Sequence, residues 1–300
     1  MTTPKNYPRA ALLALTSFTV WTIADALLKL VREAHVPQGQ MMLVCGLSGM
    51  AVIFFLSAAR GTMRRLQPHK WSGLIALGVC QWVGFMCWVT ALSHLPLTNM
   101  YVVSFLTPMT VACLAALVLK EPLGWKRAIP IAVGFAGVVI AVNPATLLQN
   151  SDAWLPYLTV FGSMAGTASQ MLLLRAVGHR ETGECVAFYP RFMIVISGIF
   201  YCATTGMVEM KSWVFMALFA AGALGSLGWV LMSQAYKNAP AAAVAPIQYV
   251  QMIIGALFGY LIWGDVPSAY LWCGAAVIIA SGVYLVRHER RLSRMMIRVE

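Results

Sequence analysis

Apolar positions along this chain come in long unbroken blocks. They do not alternate as in strands, and they are not confined to one helical stripe. Ten blocks stand out, at residues 10–31, 38–59, 71–94, 97–119, 125–143, 154–175, 186–207, 212–236, 240–263 and 268–286. A bilayer core is about 30 Å thick and a helix rises about 1.5 Å per residue, so about 20 apolar residues suffice to cross it. Each block therefore predicts a membrane-spanning helix. The first block has the basic flank of a signal peptide, in Lys5 and Arg9, but no small-residue cleavage site follows. It runs on through Asp25 and Lys29 into further spans, and so reads as a helix of the bundle. The connections are short, so the expected chemistry lies inside the bundle or at its mouths.

Composition agrees. Hydrophobic residues make up 60% of the 300 and charged residues only 10%, where a soluble domain carries about 25% charge. Mean hydropathy is +0.76. A soluble enzyme, a disordered chain and a disulfide scaffold are all poor fits. Net charge is +11, which could signal nucleic acid, but the basic residues sit in the short loops. With both termini cytoplasmic, 18 of the 21 Lys and Arg fall inside, and only Lys29, Arg32 and Lys211 fall outside. The charge thus reports orientation in a cell inner membrane and no nucleic-acid partner. The Arg-rich tail from Arg287 to Arg298 reads as an anchor to anionic lipid. Trp71, Trp125, Trp154, Trp213, Trp263 and Trp272 lie near block ends, as interfacial anchors do, whereas Trp21, Trp82, Trp88 and Trp229 lie deeper. The seven Cys include no CxxC pair and read as small packing residues.

The chain also resembles itself. Aligning residue n with n+144 places Ala91 on Ala235, Pro96 on Pro240, Gly84 on Gly228 and Glu121 on Asp265; one residue of slippage then places Gly137-Val138 on Gly282-Val283. Each half holds five blocks. Five is odd, so the second half enters the membrane from the opposite side. The expected architecture is all-α: ten transmembrane helices as two inverted five-helix repeats, residues 1–146 and 147–300, around a central cavity. Inverted repeats are a common plan for secondary transporters, with substrate at the midplane between the halves.

Several motifs then resemble a known family. Trp21-Thr-Ile-Ala-Asp25-Ala-Leu-Leu-Lys29 resembles the first-helix signature of the EamA family within the drug/metabolite transporter superfamily, a Trp followed eight residues later by Lys. Ala91…Pro96…Pro108…Leu119-Lys120-Glu121 and Gly134-Phe-Ala-Gly137-Val resemble later elements, and the second half repeats them with Pro240, Gly264-Asp265 and Gly282-Val283. The sequence departs from the family pattern at Thr22-Ile23-Ala24 and at Met252, where a proline is usual. The resemblance implies ten helices, cytoplasmic termini and export or exchange of small polar or amphipathic metabolites. Within the family the general similarity is to YddG-type amino-acid exporters.

Polar groups at hydrocarbon depth cost free energy unless satisfied, so they are expected to face the interior. Asp25 and Lys29 are one turn apart and can pair, either as a structural lock on helix 1 or as a gating or coupling pair. A cation beside Asp25 would keep it charged, which favours facilitative transport over proton coupling. Glu121 and Asp265 close helices 4 and 9 and read as structural. Candidate substrate contacts are Trp21 on helix 1, Gln81, Trp82, Phe85 and Trp88 on helix 3, Tyr101 and Ser104 on helix 4, Gln170 on helix 6, and Gln248, Tyr249 and Gln251 on helix 9. Pro108 frees the Ser104 carbonyl for a ligand or water, and His94 marks the outer mouth. Aromatics cover rings and alkyl groups, and amides supply donors and acceptors without charge. No buried cationic cluster is evident. The expected cargo is therefore a neutral or amphipathic metabolite, most simply an amino acid, moved by alternating access through a protein that functions as a monomer. A proton-coupled or exchange carrier of another metabolite or drug is the alternative.

Other classes fit less well. A membrane aspartyl protease needs two intramembrane Asp, a rhomboid needs a Gly-x-Ser-Gly serine, and an ATP-driven pump needs a P-loop. None is present, and no metal or other cofactor is expected. A channel or a scaffold would not need inverted halves.

Overall fold

In the computed structural model of this chain, residues 7–118, 125–142, 154–177, 181–238 and 245–297 are described. Twelve α-helices lie among them: α1 (Tyr7–Glu33), α2 (Gln38–Ala59), α3 (Trp71–Leu92), α4 (Leu97–Ser104), α5 (Thr107–Val118), α6 (Trp125–Val142), α7 (Trp154–Val177), α8 (Gly183–Phe188), α9 (Pro190–Thr205), α10 (Ser212–Asn238), α11 (Val250–Phe258) and α12 (Ala269–Ile297). A 3-10 turn, Met63–Leu66, follows α2; another, Ala245–Tyr249, precedes α11, and a π-helical turn, Gly259–Trp263, follows it. Five stretches are long and apolar enough to cross a membrane: Pro8–Glu33, Gln38–Ala59, Trp71–Leu92, Gly183–Thr205 and Ser212–Ala235. Shorter apolar helices cover Ala128–Val142, Ile247–Trp263 and Ala269–Tyr284. Glu121 and Pro240, and the division at residue 146, lie outside the described residues.

Three apolar blocks are not simple helices. The block at 97–119 breaks at Phe105–Leu106. Pro108 has no N–H to offer the Ser104 carbonyl, and the chain tightens there, Leu106 N–H donating to Val103 at 3.1 Å. The Thr107 hydroxyl takes the freed Ser104 carbonyl at 2.5 Å. That carbonyl, expected to serve a ligand or water, is thus satisfied within the chain. In the block at 186–207, α8 starts at Thr182, whose hydroxyl accepts the Cys185 amide at 3.2 Å, and Pro190 opens α9 at a position where its missing N–H is harmless. The block at 240–263 passes from 3-10 through α to π geometry.

Lipid is as apolar as leucine, so helices in a bilayer associate through close packing more than through water exclusion. Glycines create the close approaches. A Cβ on Gly166 of α7 would lie 2.9 Å from the Gly84 Cα of α3. A Cβ on Gly228 of α10 would lie 2.3 Å from the Trp21 Nε1 of α1, and one on Gly274 of α12 would lie 2.4 Å from the Gly137 carbonyl of α6. The principal partners are α1 with α10, α3 with α7, α2 with α9 and α10, α3 with α9, α6 with α12, α5 with α7, and α11 with α1 and α4. Helices α1 and α10 run antiparallel. Ala10 and Ala14 pack with Met232 and Ala235, Ser17 donates to the Gly228 carbonyl at 2.8 Å, and Trp21 Nε1 donates to the Gly225 carbonyl at 3.1 Å. The main core gathers Leu28, Met41, Leu97, Met100, Tyr101, Phe105, Leu218 and Ile278, all buried.

Candidate functional site

The two ends of the bundle differ. One end carries Arg9, Arg60 and Arg65 and is called the basic end below. There a pocket of about 300 Å³ is lined by these arginines together with Glu184, Val230 and Ser233, among others. Arg65 pairs with Glu184 at 3.3 Å, and the Thr182 hydroxyl donates to the Arg65 carbonyl. The Glu181 carboxylate accepts the backbone N–H groups of His69 and Lys70 at 2.8 and 2.6 Å. That bond caps α3 from the start of α8 and pins the 2–3 connection to the second half. Deeper from the pocket, the Trp21 ring meets Trp229 edge-on, with centroids 5.3 Å apart.

The opposite end is clasped by polar side chains. Asp25 of α1 accepts two hydrogen bonds, from Trp88 Nε1 of α3 at 2.8 Å and from the Tyr101 hydroxyl of α4 at 2.8 Å. Lys29 lies one turn further on, 8% exposed. Its ammonium pairs with Asp265 at 3.2 Å and sits 4.2 Å from the centre of the Trp263 ring. Beyond it, Arg32 donates to Ser93 at 2.5 Å and to the Val36 carbonyl at 3.2 Å. The expected Asp25–Lys29 pair is therefore not formed. Asp25 ties three helices of the first half together, while Lys29 reaches across to the second half. The physical reason is that Asp265 follows Gly264, whose left-handed φ of 70° turns the chain back, so a carboxylate from another element meets the ammonium. Trp263, expected as an interfacial anchor, serves instead as the face on which Lys29 rests.

The other residues singled out from the sequence fall into groups. Trp88, Tyr101, Tyr249 and Phe85 belong to the main core or pack against it. The Trp88 ring lies 5.9 Å from that of Tyr101, and the Tyr249 ring 4.9 Å from that of Phe105. Ser104 donates to the Met100 carbonyl at 2.8 Å. Gln170 and Gln251 are buried and Gln248 is half-buried. Gln81 Oε1 and Trp82 Nε1 are buried polar atoms with no hydrogen-bond partner among the described residues, a state that a bound polar molecule would relieve. His94 is exposed in the turn after α3. Pro108 is described only through its backbone. None of the residues proposed from the sequence as substrate contacts lines the basic-end pocket.

Sequence reasoning missed Arg191, which is 6% exposed. It was counted among the basic residues of the inner side. The signal was available, since Arg191 is a charge inside the apolar block 186–207.

The Lys29–Asp265 pair can be tested by charge exchange. Lys29→Asp and Asp265→Lys should each lower unfolding stability by about 2 kcal/mol, since a broken, largely buried pair strands a charge and partial exposure of Asp265 softens the cost. The double exchange should recover at least half of the summed loss in a double-mutant cycle followed by thermal unfolding. Additive losses would mean the two groups do not interact.

The chain is 26% identical to an S-adenosylmethionine uptake transporter of Rickettsia bellii, covering 79% of each chain. It is 26% identical to a riboflavin transporter of Rhizobium johnstonii, covering 82% of this chain and 80% of the relative. It is 24% identical to the pseudopaline exporter CntI of Pseudomonas aeruginosa, covering 93% and 96%. All three are transporters; none is named for amino acids. The profile of the EamA-like transporter family matches residues 8–143 and again residues 154–287, and the chain, a multi-pass membrane protein, belongs to that family.

Proposed function

We propose that this protein is a secondary carrier that moves a small, ring-bearing amphipathic metabolite by alternating access between two inverted five-helix repeats. The observation that carries the reading is the asymmetry of the bundle: a pocket at the basic end, and towards the other end a clasp made by Asp25, Lys29, Trp88, Tyr101 and Asp265, with α1 common to both. We read this asymmetry as a bundle open towards the basic end.

The helix pairings support the inverted plan. Take α4–α5, α8–α9 and 245–263 each as one span, which gives ten. Exchanging the halves turns α1·α10 into α7·α3 and α2·α10 into α9·α3, and leaves α2·α9 and α6·α12 unchanged; all of these pairings occur. Gly84 and Gly228, aligned in sequence, lie at the exchanged crossings α3·α7 and α10·α1. The family profile matching twice supports the same plan. By the positive-inside rule the basic end faces the cytoplasm of a cell inner membrane.

Trp21 and Trp229, near the pocket, favour a cargo with a ring. Aromatic amino acids meet that description, and so do S-adenosylmethionine and riboflavin, for which the relatives are named. Transport is read as facilitative, on grounds other than those expected from the sequence. Among the described residues no cation sits on Asp25, but both of its oxygens are engaged by protein donors, which makes it a structural joint. The relatives' names include both uptake and export, and a facilitator runs in whichever direction its gradient dictates; export of a cytoplasmic metabolite is our reading here.

Counterflow in proteoliposomes holding only this protein tests the proposal. Vesicles preloaded with tryptophan, phenylalanine, S-adenosylmethionine or riboflavin should take up the labelled compound saturably for at least one of the four, equally with and without a pH gradient. A requirement for the gradient would return Asp25 to a coupling role. No counterflow of any of the four would overturn the ring-bearing substrate class.

A further inference from the structure

Resting on the carrier reading above, we infer that Arg191 is the binding point for the carboxylate of the substrate. Arg191 is the second residue of α9 and is 6% exposed. Its guanidinium lies where α2 and α10 meet: a Cβ built on Gly49 would come within 2.6 Å of Nη1 and 2.5 Å of the Ser226 Oγ, and one on Gly225 within 3.7 Å of Nη2. Gly49 lies about half-way along α2 and Ser226 half-way along α10, so the charge stands near the middle of the bundle.

A guanidinium carries five N–H donors and no acceptor. Among the described residues no carboxylate pairs with Arg191, and Nε is buried without a hydrogen-bond partner. The neighbouring polar groups are neutral and donate to backbone carbonyls, so they offer the guanidinium lone pairs but no compensating charge. Ser226 donates to the Gly222 carbonyl at 3.1 Å, Ser48 to the Cys45 carbonyl at 3.2 Å, and the Cys45 thiol to the Leu218 carbonyl at 3.4 Å. A buried, unpaired charge of this kind is costly, and its retention calls for an anion.

The position fits a route from the pocket. Pocket walls come from the ends of α2, α8 and α10, continuous with the elements around Arg191. Ser226 lies one turn, about 6 Å, beyond Val230 of the pocket wall. Trp21 donates to the carbonyl of Gly225, the glycine whose Cβ would lie 3.7 Å from Arg191 Nη2. The rim arginines Arg9, Arg60 and Arg65 would raise the local concentration of an approaching anion. A single positive charge matches a monocarboxylate, whose two oxygens accept the guanidinium fork bidentately. A phosphate dianion would bring a second charge with no partner. The ligand class is therefore a monocarboxylate with an aromatic or alkyl body.

Equilibrium dialysis of the full-length protein in nanodiscs against radiolabelled indole-3-acetate, and separately against its neutral isostere indole-3-acetamide, tests this directly. The carboxylate should bind saturably and at least ten-fold more tightly than the amide. Arg191→Gln should erase that preference, and Arg191→Lys should keep part of it. Gly49→Ala, which displaces the flexible end of the arginine and the Ser226 hydroxyl but no backbone, should weaken carboxylate binding at least three-fold in a folded protein, so the test survives if Arg191→Gln fails to fold. Equal binding of acid and amide, absence of acid binding, or an unchanged preference in both Arg191→Gln and Gly49→Ala would each overturn the inference; a purely structural arginine would lower the melting temperature and leave the acid-to-amide ratio alone. The counterflow assay separates the two readings. Arg191-dependent acid binding without any counterflow would sink the carrier and keep the subsite, whereas counterflow indifferent to Arg191→Gln would do the reverse.

Discussion

Replacing Asp25 by Ala should cost about 3–5 kcal/mol of unfolding free energy and abolish transport. Two hydrogen bonds to a carboxylate are lost, each worth about 1.5–3 kcal/mol, and two buried donors are orphaned. Those donors, Trp88 Nε1 and the Tyr101 hydroxyl, belong to different helices, so the change loosens α1, α3 and α4 at once. Tyr101 is 2% exposed, and water has little access to repair its loss. Asp25→Asn is milder. Its carbonyl still accepts from Trp88 and its amide can donate to the phenol oxygen, so the loss should be about half. Thermal unfolding of the purified variants, read beside counterflow, checks both points. A variant Asp25→Ala as stable as the parent would mean the carboxylate is not the joint; Asp25→Asn retaining gradient-independent flux would agree with a structural role.

Helix packing supplies the second large effect. Gly222→Ala in α10 would set a Cβ 2.1 Å from the Ser48 Oγ, 2.4 Å from the Cys45 carbonyl and 2.6 Å from the Cys45 Cα. Two of those neighbours are backbone and cannot turn aside, so α2 and α10 must separate. Overpacking costs about 1–3 kcal/mol when side chains can adjust; here about 3 kcal/mol or a failure to accumulate folded protein is expected. Gly225→Ala, three residues on, is the control. Its Cβ would meet nothing closer than 3.7 Å, and a helical Gly→Ala change gains up to about 1 kcal/mol of propensity. Equal melting temperatures for the two variants would show that the α2·α10 approach is looser than described.

Much of the fold was legible because the bilayer imposes a length rule that any sequence must meet. The α2 bounds, Gln38–Ala59, coincide with the apolar block 38–59, and α3, α6, α7 and α10 lie within a few residues of their blocks. Interruptions inside blocks were harder to see. Pro108 gave a clear sign of the break at Phe105–Leu106, but the Thr107 hydroxyl that absorbs the freed carbonyl is a neighbour-scale detail. Pro190, which opens α9, and the change of helical pitch after Phe258 sit in sequences that read as continuous hydrophobicity. At the site, the sequence identified Asp25, Lys29 and Asp265 as the charges to explain. Their partners were misread because spacing along one helix shows which residues can meet on that helix, while the actual neighbour of Lys29 comes from 236 residues away. Of the aromatics proposed as substrate contacts, Tyr101 lies in the core and Trp21 packs against Trp229, and periodicity does not distinguish such places. Arg191 escaped because charge counting assigned it to a loop, when its place in an apolar block was the stronger sign.

The π-helical turn Gly259–Trp263 has a consequence for how this region tolerates change. A π turn holds one residue more than the α turn it replaces, and here the extra residue sits just before the point where Trp263 and Asp265 meet Lys29. Each residue advances an α-helix by about 100°. Removing one residue between Phe258 and Gly264 would turn the π turn into an α turn that still closes one revolution, and so leave the acid and the indole facing the ammonium. Side chains facing lipid, such as Leu261 at 66% exposure, can be exchanged freely for other apolar ones. The stretch should therefore accept apolar substitution and the loss of one residue, but reject a further insertion, which would rotate Trp263 and Asp265 off Lys29 by about 100°.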